Sequence, residues 1–285
     1  MNNILITTEC VADLPESIYK SGDVDVIYFD IMTEKGQFRD TVEVDSTNII
    51  EYMAGGHQKV YSVVPSANEY KNFFMKNLKD YDAIIHISIS SGVSVAYSNA
   101  MLARVKMGRD SKRIFIVDSR QISSGHGLVT MKAIEYRDKG MNCKEITSAL
   151  NDFIPRVSSS FLTYNADHMY YNARVNKFVK KICDTFKIHP VFMVIDGKMV
   201  VKKFYIGTYN RAMTKYIDYI VGDPSTIDTQ TGFITYVDCN EELLEQIRMS
   251  VGNKVDFDTV YEQQASATIS TNSGPKTFGL LFVRN

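Results

Sequence analysis

Apolar residues in the first half of the chain come in short unbroken runs, separated by stretches whose apolar positions recur every three or four residues. The runs Asn3 to Thr8, Val24 to Ile31, Ala83 to Ser88 and Arg113 to Val117 have the length and continuity of strands buried on both faces. Between them, Asp13-Leu14-Pro15-Glu16 is a helix start with an acidic cap and an early proline. Ser66-Ala67-Asn68-Glu69 is a capping box, followed by Tyr70, Phe73, Phe74 and Leu78 at helical spacing. Further helices are predicted through Ala100, Met101 and Val105 and from Leu128 to Tyr136. Strands alternating with helices imply an α/β unit with a parallel sheet covered on both faces, in which ligands meet the loops at the carboxyl ends of the strands.

The pattern changes after Pro155. Phe192 to Val201 holds two apolar runs joined at Asp196-Gly197, the strongest hairpin signal in the chain. A helix from Ala212 to Ile220, a strand at Phe233 to Val237 and a helix from Glu241 to Val251 follow. Strands near Ala267 to Ser270 and Phe278 to Val283 close an α+β pattern with a mixed or antiparallel sheet. At 285 residues the chain also exceeds what one core usually needs. The reading is therefore two lobes, an N-terminal α/β domain (1–157) and a C-terminal α+β domain (158–285), with a ligand cleft between them.

Charge narrows the function. Lysine and arginine number 32 against 33 acidic residues, and the densest basic stretch, Lys177 to Lys181, is short enough to be a solvated helix face. That balance argues against a nucleic-acid partner. No run approaches the 18 apolar residues of a membrane span, and the start MNNILITTEC lacks a cationic leader, so a cytoplasmic protein is expected. Cys10, Cys143, Cys183 and Cys239 are at least 40 residues apart, and the five histidines form no ligand pattern, so no metal is expected. With neither G-x-G-x-x-G nor Walker A present, no cofactor is expected either. His86, inside AIIHIS, reads as a satisfied core histidine, and Gly125-His126-Gly127 as a turn or helix entry.

Four segments concentrate small polar residues: Thr7 to Cys10, Tyr61 to Ser66, Ser88 to Ser94 and Asp118 to Gln121. Ser66 is a helix cap, but Ser90 to Ser94 holds more hydroxyls than one cap uses. Such a cluster suits an anionic head group, a carboxylate or phosphate. The same stretch, Gly92-Val93-Ser94-Val95-Ala96, nearly spells the G-x-S-x-G nucleophile elbow, and Asp118 and His126 follow in hydrolase order. The alternative reading is thus a serine esterase acting on acyl substrates with Ser94 as nucleophile. Against it stand Ala96 in the fifth position, the short Asp118–His126 separation and the lack of an oxyanion loop.

Read in order, these segments resemble the DegV family of bacterial lipid-binding proteins. Thr7 to Pro15 looks like the family's T-D-S-x-A-D-L-P start, and Ser62-Val63-Val64-Pro65-Ser66 is similar to T-S-Q-P-S. Ile87 to Ala100 resembles I-S-I-S-S-x-L-S-G-T-Y-Q-S-A, the most specific stretch. Val117-Asp118-Ser119 with Gly125 to Leu128 fits the next strand and helix. Arg174 stands where the family has the arginine of G-G-R, Lys187 to Pro190 resembles N-I-K-P-I, and Gly274 to Leu280 resembles G-P-G-A-L-G-L. The departures are Glu9-Cys10 for Asp-Ser, Val63-Val64 for Ser-Gln, Asn172-Ala173 for Gly-Gly, and Asn272 for the histidine ahead of Gly-Pro.

The resemblance implies a two-lobed carrier, without catalytic residues of its own, that holds one long-chain fatty acid for phospholipid metabolism. The acyl chain would fill an apolar tunnel, and the carboxylate would meet Ser62, Ser94, Ser91, Arg174 and Asn272. In some members the carboxylate is presented to a separate fatty-acid kinase. Burying a sixteen-carbon chain at ~0.8 kcal/mol per CH₂ offers on the order of 10 kcal/mol before association costs.

Overall fold

The computed structural model describes residues 3–57, 59–172, 175–186 and 188–285. In chain order its strands are β1 (Ile4–Glu9), β2 (Val24–Ile27), β3 (Asp30–Thr33), β4 (Gly36–Arg39), β5 (Tyr61–Val63), β6 (Ala83–Ser88), β7 (Ile114–Asp118), β8 (Val157–Leu162), β9 (Ile188–Ile195), β10 (Lys198–Ile206), β11 (Ile227–Val237), β12 (Val260–Gln264) and β13 (Thr277–Arg284). The helices are α1 (Glu16–Ser21), α2 (Ser46–Ala54), α3 (Ala67–Asn77), α4 (Ala96–Lys106), α5 (Ser123–Asp138), α6 (Cys143–Phe153), α7 (Asp167–Tyr171), α8 (Lys177–Phe186), α9 (Tyr209–Val221), α10 (Glu241–Gly252) and α11 (Ala267–Ser273).

The chain is α/β, with three sheets among the described residues. Four parallel strands run in the order β2-β1-β6-β7. Side-chain alternation covers both faces of that sheet. Leu5, Ile84 and Ile114 meet Tyr70, Phe74 and Ala100 of α3 and α4. Ile4, Ile6, Ile85 and Ile87 meet Leu128, Val129, Ile146 and Leu150 of α5 and α6. A small antiparallel sheet, β4-β3-β5, stands beside it. From residue 157 onward the strands form a six-stranded mixed sheet, β10-β9-β8-β13-β11-β12. One face of this sheet packs on α9 and α10. The other sends Val157, Phe233, Leu281 and Val283 into the cluster that holds α5 and α6. Helix α5 therefore has a sheet on either side.

Two expected strands are corrected. The run Val24 to Ile31 breaks at Tyr28-Phe29, because the Phe29 N–H bonds Cys10 Sγ (3.2 Å) and its carbonyl accepts from Asp40 N (2.9 Å), turning the chain from the parallel sheet into the small one. Ala267 to Ser270 is the start of α11, not a strand. Its sequence, ATISTNS, is rich in β-branched residues, but its amides are captured by buried carboxylates described below. Helix α5 also starts earlier than its apolar spacing suggests, at Ser123. The expected hairpin is present between β9 and β10, with Asp196 (φ 49°) and Gly197 (φ 77°) as its turn. Its tip docks on the loop after β6, where Ser90 Oγ donates to Gly197 O (2.5 Å).

The start of α5 approaches its neighbours too closely for a side chain at position 127. A Cβ on Gly127 would lie 2.6 Å from the Ala12 carbonyl oxygen, a backbone atom that cannot step aside. Gly127→Ala should therefore cost about 1–3 kcal/mol despite alanine's better helix propensity. Gly252, the last residue of α10, has open space around its Cβ position, and Gly252→Ala should gain about 0.4–1 kcal/mol. Urea unfolding midpoints of the two variants should move in opposite directions.

Candidate functional site

A cavity of about 280 Å³ opens between the six-stranded sheet and the N-terminal elements. That volume lies near the small end for pockets that enclose ligands. The sheet supplies the floor through alternate residues: Ser159 and Phe161 of β8, Gly279 and Leu281 of β13, Thr235 and Val237 of β11. Their neighbours Leu162, Ile234, Leu280 and Phe282 point the other way, toward α9 and α10. A Cβ on Gly279 would sit 2.7 Å from the Ser160 carbonyl, so the floor carries no side chain there.

The walls come from loops and helix ends. Ile122 and Ser123 enter α5, Val93 to Val95 follow β6, Ser62 lies on β5, and Ile269 and Asn272 lie on α11. Met169 of α7 and Met199 of β10 add flexible thioethers. Val95 is 59% exposed, which puts one edge of the cavity at the surface beside Ser94.

Ser62, Ser94 and Asn272 thus meet in one cavity although more than 200 residues separate the first from the last. Ser94 Oγ accepts from Ala96 N at the start of α4 (3.2 Å). Asn272 Nδ2 donates to Thr268 O (2.8 Å), one turn back along α11. Ser91 stands apart from them. It is exposed, and its amide (3.2 Å) and hydroxyl (2.5 Å) both go to the Asp118 carboxylate. Arg174 lies outside the described residues. Among the described residues, no lining side chain is charged.

The charges sit behind the walls. Glu9, fully buried, accepts from Tyr70 Oη (2.8 Å), Ser88 Oγ (2.8 Å), Ile89 N (2.7 Å) and His86 Nε2 (3.2 Å). Burial drives its carboxyl upward, but the contact with His86 and the Ile89 amide outweigh this and hold it below the usual carboxylate range. His126 has its Nε2 within 2.9 Å of the Ile87 carbonyl and 2.8 Å of Thr8 Oγ1, and burial pushes its pKa down, so we assign the neutral ring with the proton on Nε2. It lies behind the cavity wall.

These bonds also separate the esterase residues. Asp118 serves Ser91 and the Arg120 amide (2.9 Å), His126 serves the β1–β6 edge, and Ser94 serves the start of α4. No hydrogen bond links the three residues as a triad requires.

Two more buried carboxylates anchor the α11 wall. Asp40 accepts from the amides of Ala267 (2.8 Å) and Thr268 (2.9 Å). Asp13 accepts from Ser266 N (2.8 Å) and from the Ser123 hydroxyl. Asp13 (φ 44°) and Ser123 (φ 52°) both occupy the left-handed region that non-glycine residues avoid, and their mutual hydrogen bond ties them together. Burial pushes the Asp13 carboxyl up from 3.8 to about 7 in spite of these bonds, and it raises Asp40 in the same direction. Sequence reasoning missed Glu9, Asp13 and Asp40 as supports and Ser159 and Thr235 as floor residues. The signal for the floor was a polar side chain at alternate positions of a strand, which becomes visible only once β8, β13 and β11 are known to be neighbours.

Comparison with known proteins agrees with this architecture. A family model described as "uncharacterised protein, DegV family" matches residues 3–285. The chain belongs to the DegV family. A DegV domain-containing protein of Caldanaerobacter subterraneus subsp. tengcongensis is 25% identical over 282 residues, covering 99% of each chain. Another, from Clostridium acetobutylicum, is 24% identical over 283 residues, again covering 99% of each. Among solved structures, a fatty-acid-binding DegV family protein from Thermus thermophilus matches with a TM-score of 0.86 at 17% identity, covering 99% of this chain and 100% of that one. A DegV family protein from Eubacterium eligens, loaded with heptadecanoic acid, matches with a TM-score of 0.85 at 16% identity, covering 99% and 100%. At these identities the structural likeness shows the shared DegV fold.

The raised Asp13 pKa has a signed consequence. Between about pH 4 and 7 the folded chain keeps a proton that the unfolded chain has released, so stability falls as pH rises through that window. Asp13→Asn cannot titrate there, and its amide oxygen can still accept from Ser266 N. The stability of wild type relative to Asp13→Asn should therefore decline on the order of 3 kcal/mol from pH 4 to pH 8. Denaturant titrations of both proteins across that range check it.

Proposed function

We propose that this DegV family member is a non-catalytic carrier that holds one long-chain fatty acid between its six-stranded sheet and its N-terminal elements. The observation that carries this reading is the cavity itself, whose apolar lining comes mostly from the walls, Phe29, Val64, Ile89, Val93, Ile122 and Ile269 among them, and whose lining also brings together Ser94, Ser62 and Asn272. Buried alkyl surface supplies the affinity, while the hydroxyls and the Asn272 amide hydrogen-bond the carboxylate, which must be paired to be buried. Arg174, at the position of the family's arginine, supplies its counter-charge in this reading. Ser91 acts indirectly, holding the loop through Asp118. The fatty-acid-binding DegV protein from T. thermophilus and the one from E. eligens loaded with heptadecanoic acid support the ligand class.

The division into an N-terminal unit (1–157) and a C-terminal unit (158–285) belongs to this proposal, with the cavity at their junction. It is supported by the sheets, since the strands of the six-stranded sheet all lie between residues 157 and 284. Presentation of the carboxylate to a fatty-acid kinase is the further step that the DegV resemblance implies. It is consistent with the exposure of Val95 next to Ser94. No helix among the described residues is long and apolar enough to cross a membrane.

Ser94→Ala should weaken binding of a free long-chain fatty acid by about 1.5–3 kcal/mol, the worth of a hydrogen bond to a charged group. Its effect on the uncharged methyl ester should be smaller. Equilibrium titration with both ligands checks this, alongside an assay with a p-nitrophenyl acyl ester. Equal losses for acid and ester would remove Ser94 from the carboxylate site. Ester turnover by wild type that Ser94→Ala abolishes would favour the esterase.

A further inference from the structure

Asp13 and Asp40 are buried acids with no base beside them. Asp13 is 3% exposed and Asp40 fully buried, and among the described residues no lysine, arginine or histidine forms an ion pair with either. Between them they accept from three consecutive amides, Ser266 N, Ala267 N and Thr268 N, so the two carboxylates stand side by side. The hydroxyls of Ser266 and Thr268 are buried next to them, and neither has a hydrogen-bond partner among the described residues. Each can therefore accept from an acid that keeps its proton. Two like charges do not readily ionise together in a dry site, so the pair holds a proton where isolated carboxyls have lost theirs.

The pair lies directly behind the cavity. Asp13 also takes the Ser123 hydroxyl, and Ser123 and Thr268 both line the cavity. Asn272, assigned to the ligand carboxylate, is one turn beyond Thr268 on α11, about 6 Å along the helix axis. A fatty acid bound there adds a third negative charge, and at about 10 Å, with an effective dielectric near 20, that charge favours the protonated pair about tenfold. The other titratable groups around the pair keep their state near neutral pH. Burial holds the Cys10 thiol and the Tyr19 and Tyr28 hydroxyls protonated, Glu9 stays ionised, and burial pushes His126 of α5 and His168 of α7 down. On α2, which packs along α11, Asp45 and Glu51 are exposed.

We infer that the Asp13–Asp40 pair is a proton-linked sensor of ligand charge: binding of a fatty-acid carboxylate makes it take up a proton, so affinity falls as pH rises. This rests on the fatty-acid reading and adds a regulation to the same site. The sign follows from linkage. The free protein gives up the proton at about pH 7 and the liganded protein at a higher pH, so the loss of affinity falls between the two. The test is equilibrium binding of a long-chain fatty acid, kept below its micelle concentration, and of its methyl ester from about pH 6.5 to 8.5. Wild type should lose about fivefold in affinity for the acid and nothing for the uncharged ester. Asp13→Asn should bind the acid with a flat profile. Asp40→Asn, which also leaves a single acid, should do the same and serves where Asp13→Asn does not fold. Calorimetry of wild type in two buffers of different ionisation enthalpy should show about half a proton taken up per acid bound near pH 7.5. The inference is overturned by a flat wild-type profile, by an equal fall for acid and ester, by a fall that persists in the variants, or by binding without proton uptake. Any of these leaves the fatty-acid reading standing. If neither ligand binds at any pH, that reading fails and the inference with it.

Discussion

The burial of α5 between two sheets is the constraint from which the rest of the molecule follows. A helix exposed on one side needs one apolar stripe, whereas α5 must satisfy neighbours all round. Its first eight residues, Ser123 to Thr130, are all buried. Large side chains would hold the sheets apart, so glycines stand at 125 and 127, and the remaining polar groups are bonded outward: Ser123 to Asp13, Ser124 to the Asp13 carbonyl (3.0 Å), and His126 to β1 and β6. The cavity opens beside this turn. The approach that glycine permits further along the helix gives way there to the alternating small and apolar residues of the sheet floor.

Around that helix the protein spends buried charge on position. Glu9 joins β1, α3, β6 and the loop that follows β6, so the hydroxyl-bearing edge of the cavity is fixed to the parallel sheet by hydrogen bonds. Asp13 and Asp40 reach from the first part of the chain to the amides that open α11, near its end. A seven-residue helix has little stability of its own. Capture by two carboxylates explains how α11 keeps Ile269 and Asn272 against the cavity, and the raised Asp13 pKa shows that this placement carries an electrostatic cost at neutral pH.

The fold was largely legible because its strongest signals are local. Ala83 to Ser88 is a strand with the bounds its apolar run shows, Ser66 and Glu69 form the expected capping box, and Asp196-Gly197 makes the expected turn. The errors lie where distant groups decide. Cys10 and Asp40 turn the chain at Phe29, and Asp40 and Asp13 convert a β-branched segment into α11. The site was legible in part for the same reason. Ser62, Ser94 and Asn272 were found through a family pattern and do line one cavity. Ser159 and Thr235 belong to no motif and acquire meaning only through the register of β8, β13 and β11.

The central claim is that the cavity over the floor of the six-stranded sheet is an acyl-chain site. Native mass spectrometry of the protein purified from bacterial cells, and again after incubation with a long-chain fatty acid, tests it most directly. The account predicts a complex with one equivalent of fatty acid that denaturation releases intact. A spectrum showing the polypeptide mass alone under both conditions would contradict it.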